Sequence, residues 1–107
     1  MKELTFDSVN PGDVLIAYSY YSGSIPFFYK VLEKKGKSTI VIRRLMKTGK
    51  YNVGVSDGLE TPVLDSFNPD CRAEAVRFDK RGHVFTPEHG KQLQFWDGQP
   101  AVYVNNN

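Results

Sequence analysis

The stretch Phe27 to Leu45, FFYKVLEKKGKSTIVIRRL, constrains the fold more than any other part of the chain. Two runs rich in β-branched and aromatic residues flank the basic turn Lys34-Lys35-Gly36-Lys37, the pattern of an antiparallel hairpin. Its register decides which side chains enter a core, because a slip of one residue flips them all. With Glu33 opposite Ser38, Tyr29 and Val31 share an apolar face with Ile40 and Ile42, while Lys30, Val41 and Arg43 point away. A three-residue turn with a bulge at Gly36 would instead group Phe28, Leu32, Ile40 and Ile42. The first register is the expected one, since it leaves the charges outside.

The rest of the chain reads as further short strands cut by turn signals. Leu4 and Phe6 lie in a strand or turn ending at Asn10-Pro11-Gly12, and Asp13 to Tyr18 is a first core strand. Ser19 to Pro26 is expected as a loop, Lys47 to Lys50 as a turn, and Tyr51 to Val55 as a weak strand. Leu59 to Asp70 is expected to be irregular, broken by Pro62 and Pro69. Ala73–Phe78 and His83–Thr86 would form a second hairpin around Asp79-Lys80-Arg81-Gly82. Pro87 to Gly90 reads as loop or one helical turn. Gln92–Trp96 and Ala101–Val104 would form a third hairpin around Asp97-Gly98-Gln99-Pro100. Nowhere does a helical apolar period persist for three turns. An all-β chain follows, expected to fold as a small antiparallel SH3-like barrel built from hairpins. At 107 residues it is one domain spanning 1–107, with 105–107 a frayed tail.

Charge is unevenly spread. Lys30, Lys34, Lys35, Lys37, Arg43, Arg44, Lys47 and Lys50 crowd one segment against Glu33 alone. The whole chain is only +2, so the remainder is net acidic. That total excludes an acidic DNA mimic and a general nucleic-acid coat. The basic hairpin is either a solvated, protected strand edge or a working patch.

Catalytic and metal chemistry find little support. Cys71 is the only cysteine, which excludes an intramolecular disulfide, fits a reducing cytoplasm and reads as a buried inert thiol. His83 and His89 lie by turns, and with Glu88 or Asp79 they make a poor zinc set. Asp97 reads as a turn residue, because Asp-Gly is a strong turn signal. Its neighbour Trp96 is expected to pack at the barrel end. No catalytic residue, metal or cofactor is expected. The opening MKELTFDSVNPGD is not a signal peptide, and no segment approaches a membrane span.

Several landmarks in fixed order resemble a known group of proteins. Pro11-Gly12-Asp13-Val14 is followed by a Tyr/Ser-rich loop, Phe28-Tyr29-Lys30-Val31, Gly36-Lys37-Ser38-Thr39-Ile40-Val41-Ile42-Arg43, Pro62-Val63-Leu64-Asp65-Ser66-Phe67, and Phe95-Trp96-Asp97-Gly98-Gln99-Pro100. This order resembles a family of small uncharacterised β proteins encoded by bacteriophages, plasmids and related mobile elements. It covers most of the chain. One departure stands out: where the family often has a Ser-Trp-Gly-Tyr-Asp-Gln-Thr-like loop, this chain has Tyr18-Ser19-Tyr20-Tyr21-Ser22-Gly23-Ser24-Ile25. The resemblance implies a mobile-element origin and a small β fold, and no activity.

Aromatic residues make up 13% of the chain, more than alternating strands can all turn inward. Tyr18, Tyr20, Tyr21 and Phe27 either cap the barrel or form the candidate partner-binding surface, since Tyr, Ser and Gly together suit adaptable contacts. The expected function is that of a non-enzymatic accessory protein in the bacterial host cytoplasm that binds and modulates a host or phage protein, for example a defence component. One alternative is nucleic-acid binding, with Lys34, Lys35, Lys37, Arg43 and Arg44 on phosphates and tyrosines stacked on bases. A small-ligand binder is a further alternative, and would need a deep pocket.

Overall fold

The computed structural model describes residues 3–20, 23–51, 57–88 and 90–105, the last without its side chain. The chain is all-β, and its described residues contain no helix. Seven strands form: β1 (Val14–Ser19), β2 (Gly23–Lys35), β3 (Thr39–Tyr51), β4 (Asp57–Phe67), β5 (Glu74–Arg77), β6 (Gln94–Phe95) and β7 (Ala101–Asn105). β2, β3, β4 and β7 pair in a closed antiparallel ring, the four-stranded barrel of a small SH3-like fold. β1 adds to β2, β6 to β1 and β5 to β3.

The central hairpin combines the two registers considered above. Its turn is the three-residue one: Lys35 pairs with Thr39, and Gly36 sits at φ 59°, a left-handed conformation natural to glycine. Glu33 therefore opposes Val41 rather than Ser38. A bulge between Val31 and Glu33 then resets the phase, and the extra residue Leu32 is left exposed. The apolar face that results is the expected one, with Tyr29, Val31, Ile40 and Ile42 all buried in one cluster.

The β1–β2–β3 layer is covered on both faces. One face carries Leu15, Ala17, Tyr29, Val31, Ile40 and Ile42. Leu4 and Val9 cover it from the N-terminal segment, and Phe78, Val84 and Leu93 from the later loops. On the opposite face Ile16, Phe28 and Leu45 pack with Ala101, with Phe67 and Trp96 partly buried against them. Each fully buried large side chain contributes roughly 1.5–3 kcal/mol, so this two-sided burial supplies most of the driving force.

Several expected turns are strand instead. Of the loop expected over 19–26, Ser19 and 23–26 are strand, with Tyr18 opposite Pro26 and Ser19 opposite Ile25, and 21–22 lie outside the described residues. β3 runs straight through 47–50. There Gly49 is needed for close approach, since a Cβ would lie 2.6 Å from the Tyr51 hydroxyl and 3.0 Å from the Leu59 carbonyl. Of the segment expected to be irregular, 59–67 belong to β4 and 68–70 lie outside any strand, and Pro62 is accommodated beside a break in register. Between the Leu45–Phe67 and Lys47–Pro62 pairs, residues 63–66 bulge opposite Met46. Of the weak strand expected over 51–55, Tyr51 ends β3 and the rest lies outside the described residues.

The Asp79–Gly82 turn forms as expected, closed by Asp79 N–H to the His83 carbonyl at 2.8 Å. Its first arm, β5, pairs with β3 rather than with 83–86. The third hairpin does not form. β6 pairs with β1, while β7 pairs with β4 and β2, so the Asp97-Gly98-Gln99-Pro100 turn carries the chain between sheets. Asn105, expected to fray, is paired with Gly23. Cys71 is half-buried rather than buried.

Candidate functional site

The candidate aromatic residues separate onto two faces. Alternation along β1 places Tyr18 with Ile16 and the Trp96 face. Tyr20, 64% exposed, stacks on Tyr18 with ring centroids 6.0 Å apart and planes 24° apart. Burial raises the Tyr18 hydroxyl pKa, helped by the nearby Tyr20 and Asp97 charges. Phe27 packs against the other cluster, and Tyr21 lies outside the described residues.

Beside Tyr18 runs a groove of about 260 Å³ lined by Ile16, Tyr18, Trp96, Asp97, Pro100 and Val102. Phe28 holds the Trp96 ring edge-on at 5.9 Å, and the indole N–H donates to the Gln99 carbonyl at 2.8 Å. Asp97 shapes the turn by accepting the Gln99 N–H at 2.9 Å, with Gly98 at φ 84°. On the far side the apolar surface continues through Val102, 56% exposed, to its cross-strand neighbour Leu59, 47% exposed. The sequence marked this turn as structural and did not connect it with the tyrosines. Its Trp-Asp-Gly-x-Pro run was the available signal, but only the β1–β6 pairing brings the two together.

Phe27 is the centre of a cationic ladder. The Arg44 guanidinium lies 4.6 Å from its ring and the Lys47 ammonium 4.8 Å. Arg44 also pairs with Glu88 at 3.2 Å and donates to the Tyr29 hydroxyl at 3.2 Å, which in turn donates to Glu88 at 3.0 Å. Burial pushes the Tyr29 hydroxyl up to about 12. Burial opposes the Arg44 charge, and the Tyr29 and Glu88 contacts outweigh it to raise the guanidinium pKa.

Lys47 seals the seam where β2 changes partner. β2 pairs with β3 from Tyr29 onward and with β7 at Gly23 and Ser24, leaving Pro26 between them. Proline lacks the N–H a ladder would need there. Its carbonyl accepts the Lys47 ammonium at 2.8 Å, which also pairs with the buried Glu60 at 2.8 Å. The Tyr51 hydroxyl donates to Glu60 at 2.5 Å, and this bond, above all, raises Tyr51 to about 12.

The five basic candidates do not converge. Lys34 lies over the Phe6 ring at 4.5 Å. Arg43 donates to the Cys71 carbonyl at 3.0 Å and covers Phe67 at 4.9 Å. Arg44 is held in the ladder. Lys35 and Lys37 are exposed around the turn. Arg43 and Arg44 take opposite directions, as neighbours on a strand do.

Among the described residues no group of three or more His, Cys, Asp or Glu is placed to hold a metal ion, and no helix is long and apolar enough to cross a membrane. His89 of the weighed zinc set lies outside them. Fold and site together define a small β-barrel with an exposed aromatic face. No family model, curated protein or solved structure matches the chain.

Proposed function

We propose that this chain is a non-enzymatic accessory protein, of the kind carried by bacteriophages and mobile elements, that binds and modulates a host or phage protein in the bacterial cytoplasm. The observation that carries this reading is the Tyr18–Tyr20 stack, with Tyr20 64% exposed beside the Trp96 groove. Rings are enriched at protein interfaces because they give large contact area at low entropy cost. Tyr20 makes its ring contact with Tyr18 alone among the described residues, so its exposure is not explained by packing.

Nucleic-acid binding is the second reading, supported by the exposed Lys35 and Lys37 at one turn. It is the weaker one, because Lys34, Arg43 and Arg44 are engaged within the fold. Affinity capture from host-cell lysate with the full chain and its Tyr20→Ala variant tests the first reading. A specific protein retained by the native chain and lost with the variant supports it. Capture indifferent to Tyr20, or only nucleic acid eluting with salt, overturns it.

A further inference from the structure

We propose that the partner is engaged by strand addition: an extended segment bearing a Lys or Arg pairs with the open edge of β1 at Tyr18 and lays side chains along the Trp96 groove. This rests on the protein-binding reading above and names the chemistry of what is bound.

The edge follows from hydrogen-bond parity. Val31 N–H donates to the Asp13 carbonyl at 2.9 Å, and Trp96 N–H donates to the Val14 carbonyl at 3.1 Å. Antiparallel ladders alternate, so odd-numbered β1 residues aim their backbone at β2 and even-numbered ones at β6. β6, however, reaches only Leu15 and Ile16. Continued by two residues, the same register would bring Gln92 opposite Tyr18. That pair is not formed: the ladder stops at Ile16–Gln94, and the bonds flanking Gln92, Thr86 N–H to the Lys91 carbonyl and Leu93 N–H to the Val84 carbonyl, both at 2.8 Å, run to 84–86. Tyr18 therefore presents its N–H and C=O along an edge that no described strand covers. Such an edge is a template for another chain.

The flanking chemistry selects the occupant. An added strand would project alternate side chains onto the face that carries Tyr18, Trp96 and Val102, which suits apolar residues at every second position. Among the described residues, Asp97 is the only charged one lining the groove, and its one hydrogen bond is from the Gln99 amide. A cationic side chain is its electrostatic complement. A proline-rich helix would leave the Tyr18 backbone groups unused, so the edge favours a strand.

The probe is a displayed library of random peptides panned against the full chain, with amide hydrogen exchange read by NMR on the complex. We expect selected peptides with alternating apolar residues and a Lys or Arg, and slowed exchange at the Tyr18 amide on binding. Asp97→Asn keeps an acceptor for Gln99 while removing the charge, and should weaken binding about fivefold. Peptides that bind without protecting Tyr18, or that ignore Asp97→Asn, overturn strand addition. So does failure to enrich any peptide. None of these touches the Tyr20-dependent capture, which judges the parent reading separately.

Discussion

Replacing Lys47 by Met tests how the barrel seam is held. Glu60 is 3% exposed and loses its ammonium partner, keeping among the described residues only the Tyr51 hydroxyl. The Pro26 carbonyl loses its donor too. Stranding one member of a buried pair costs about 3–5 kcal/mol. Lys47 retains 26% side-chain exposure and Tyr51 still serves Glu60, so the low end, about 3 kcal/mol, is expected. For a domain of this size that lowers Tm by about 12 °C. Urea and thermal unfolding followed by circular dichroism measure it. The decisive comparison is Lys47→Met/Glu60→Gln, which removes the stranded charge and keeps an acceptor for Tyr51. It should recover about 1–2 kcal/mol relative to Lys47→Met alone. A Lys47→Met chain within about 1 kcal/mol of the native one, or a double variant less stable than the single, refutes this account of the seam.

Gly58→Ala should destabilise by about 2–3 kcal/mol in urea unfolding, because a Cβ there collides with the Lys50 carbonyl and the Tyr51 backbone, neither free to withdraw. Ultraviolet titration should show two tyrosines, Tyr29 and Tyr51, ionising only near pH 12. Their folded values lie above the ordinary one, so the stability they lend is complete below the ordinary tyrosine pKa and is lost as pH rises through about 12. Asp79 runs the other way. The His83 amide first, and the Arg81 amide after it, hold its carboxyl below the ordinary range. The stability difference between native chain and Asp79→Ala should therefore be full above the ordinary carboxylate pKa and vanish as pH falls through the depressed value, read as Tm against pH.

What the sequence conveyed was local pattern. Val31, Ile40 and Ile42 alternate as a buried strand face must, and the scattered Gly and Pro signals excluded long helices, so the all-β barrel was legible. Less legible was which turn signals were real. Gly36 and Asp79-Gly82 turn the chain, whereas Lys47-Thr48-Gly49-Lys50 does not, because Gly49 serves the Tyr51 ring instead. Pro62 read as a breaker but sits beside a bulge, where a strand tolerates it. Leu32 shows how one bulged residue lets an unexpected turn produce the expected face. For the site, Tyr18 and Tyr20 were visible as candidates. Their neighbours Trp96 and Asp97 were not, since that proximity depends on β6 pairing with β1 across most of the chain. The basic cluster shared a segment but not a direction, which only the partners of Lys34, Arg43 and Arg44 reveal.

The most direct test of the central claim is site-specific photo-crosslinking in host cells, with the photoreactive residue placed at position 20 or, as a control, at position 35. The proposed function predicts a discrete protein adduct from position 20 and none of that adduct from position 35. A nucleic-acid adduct from position 35, with nothing captured from position 20, would contradict it.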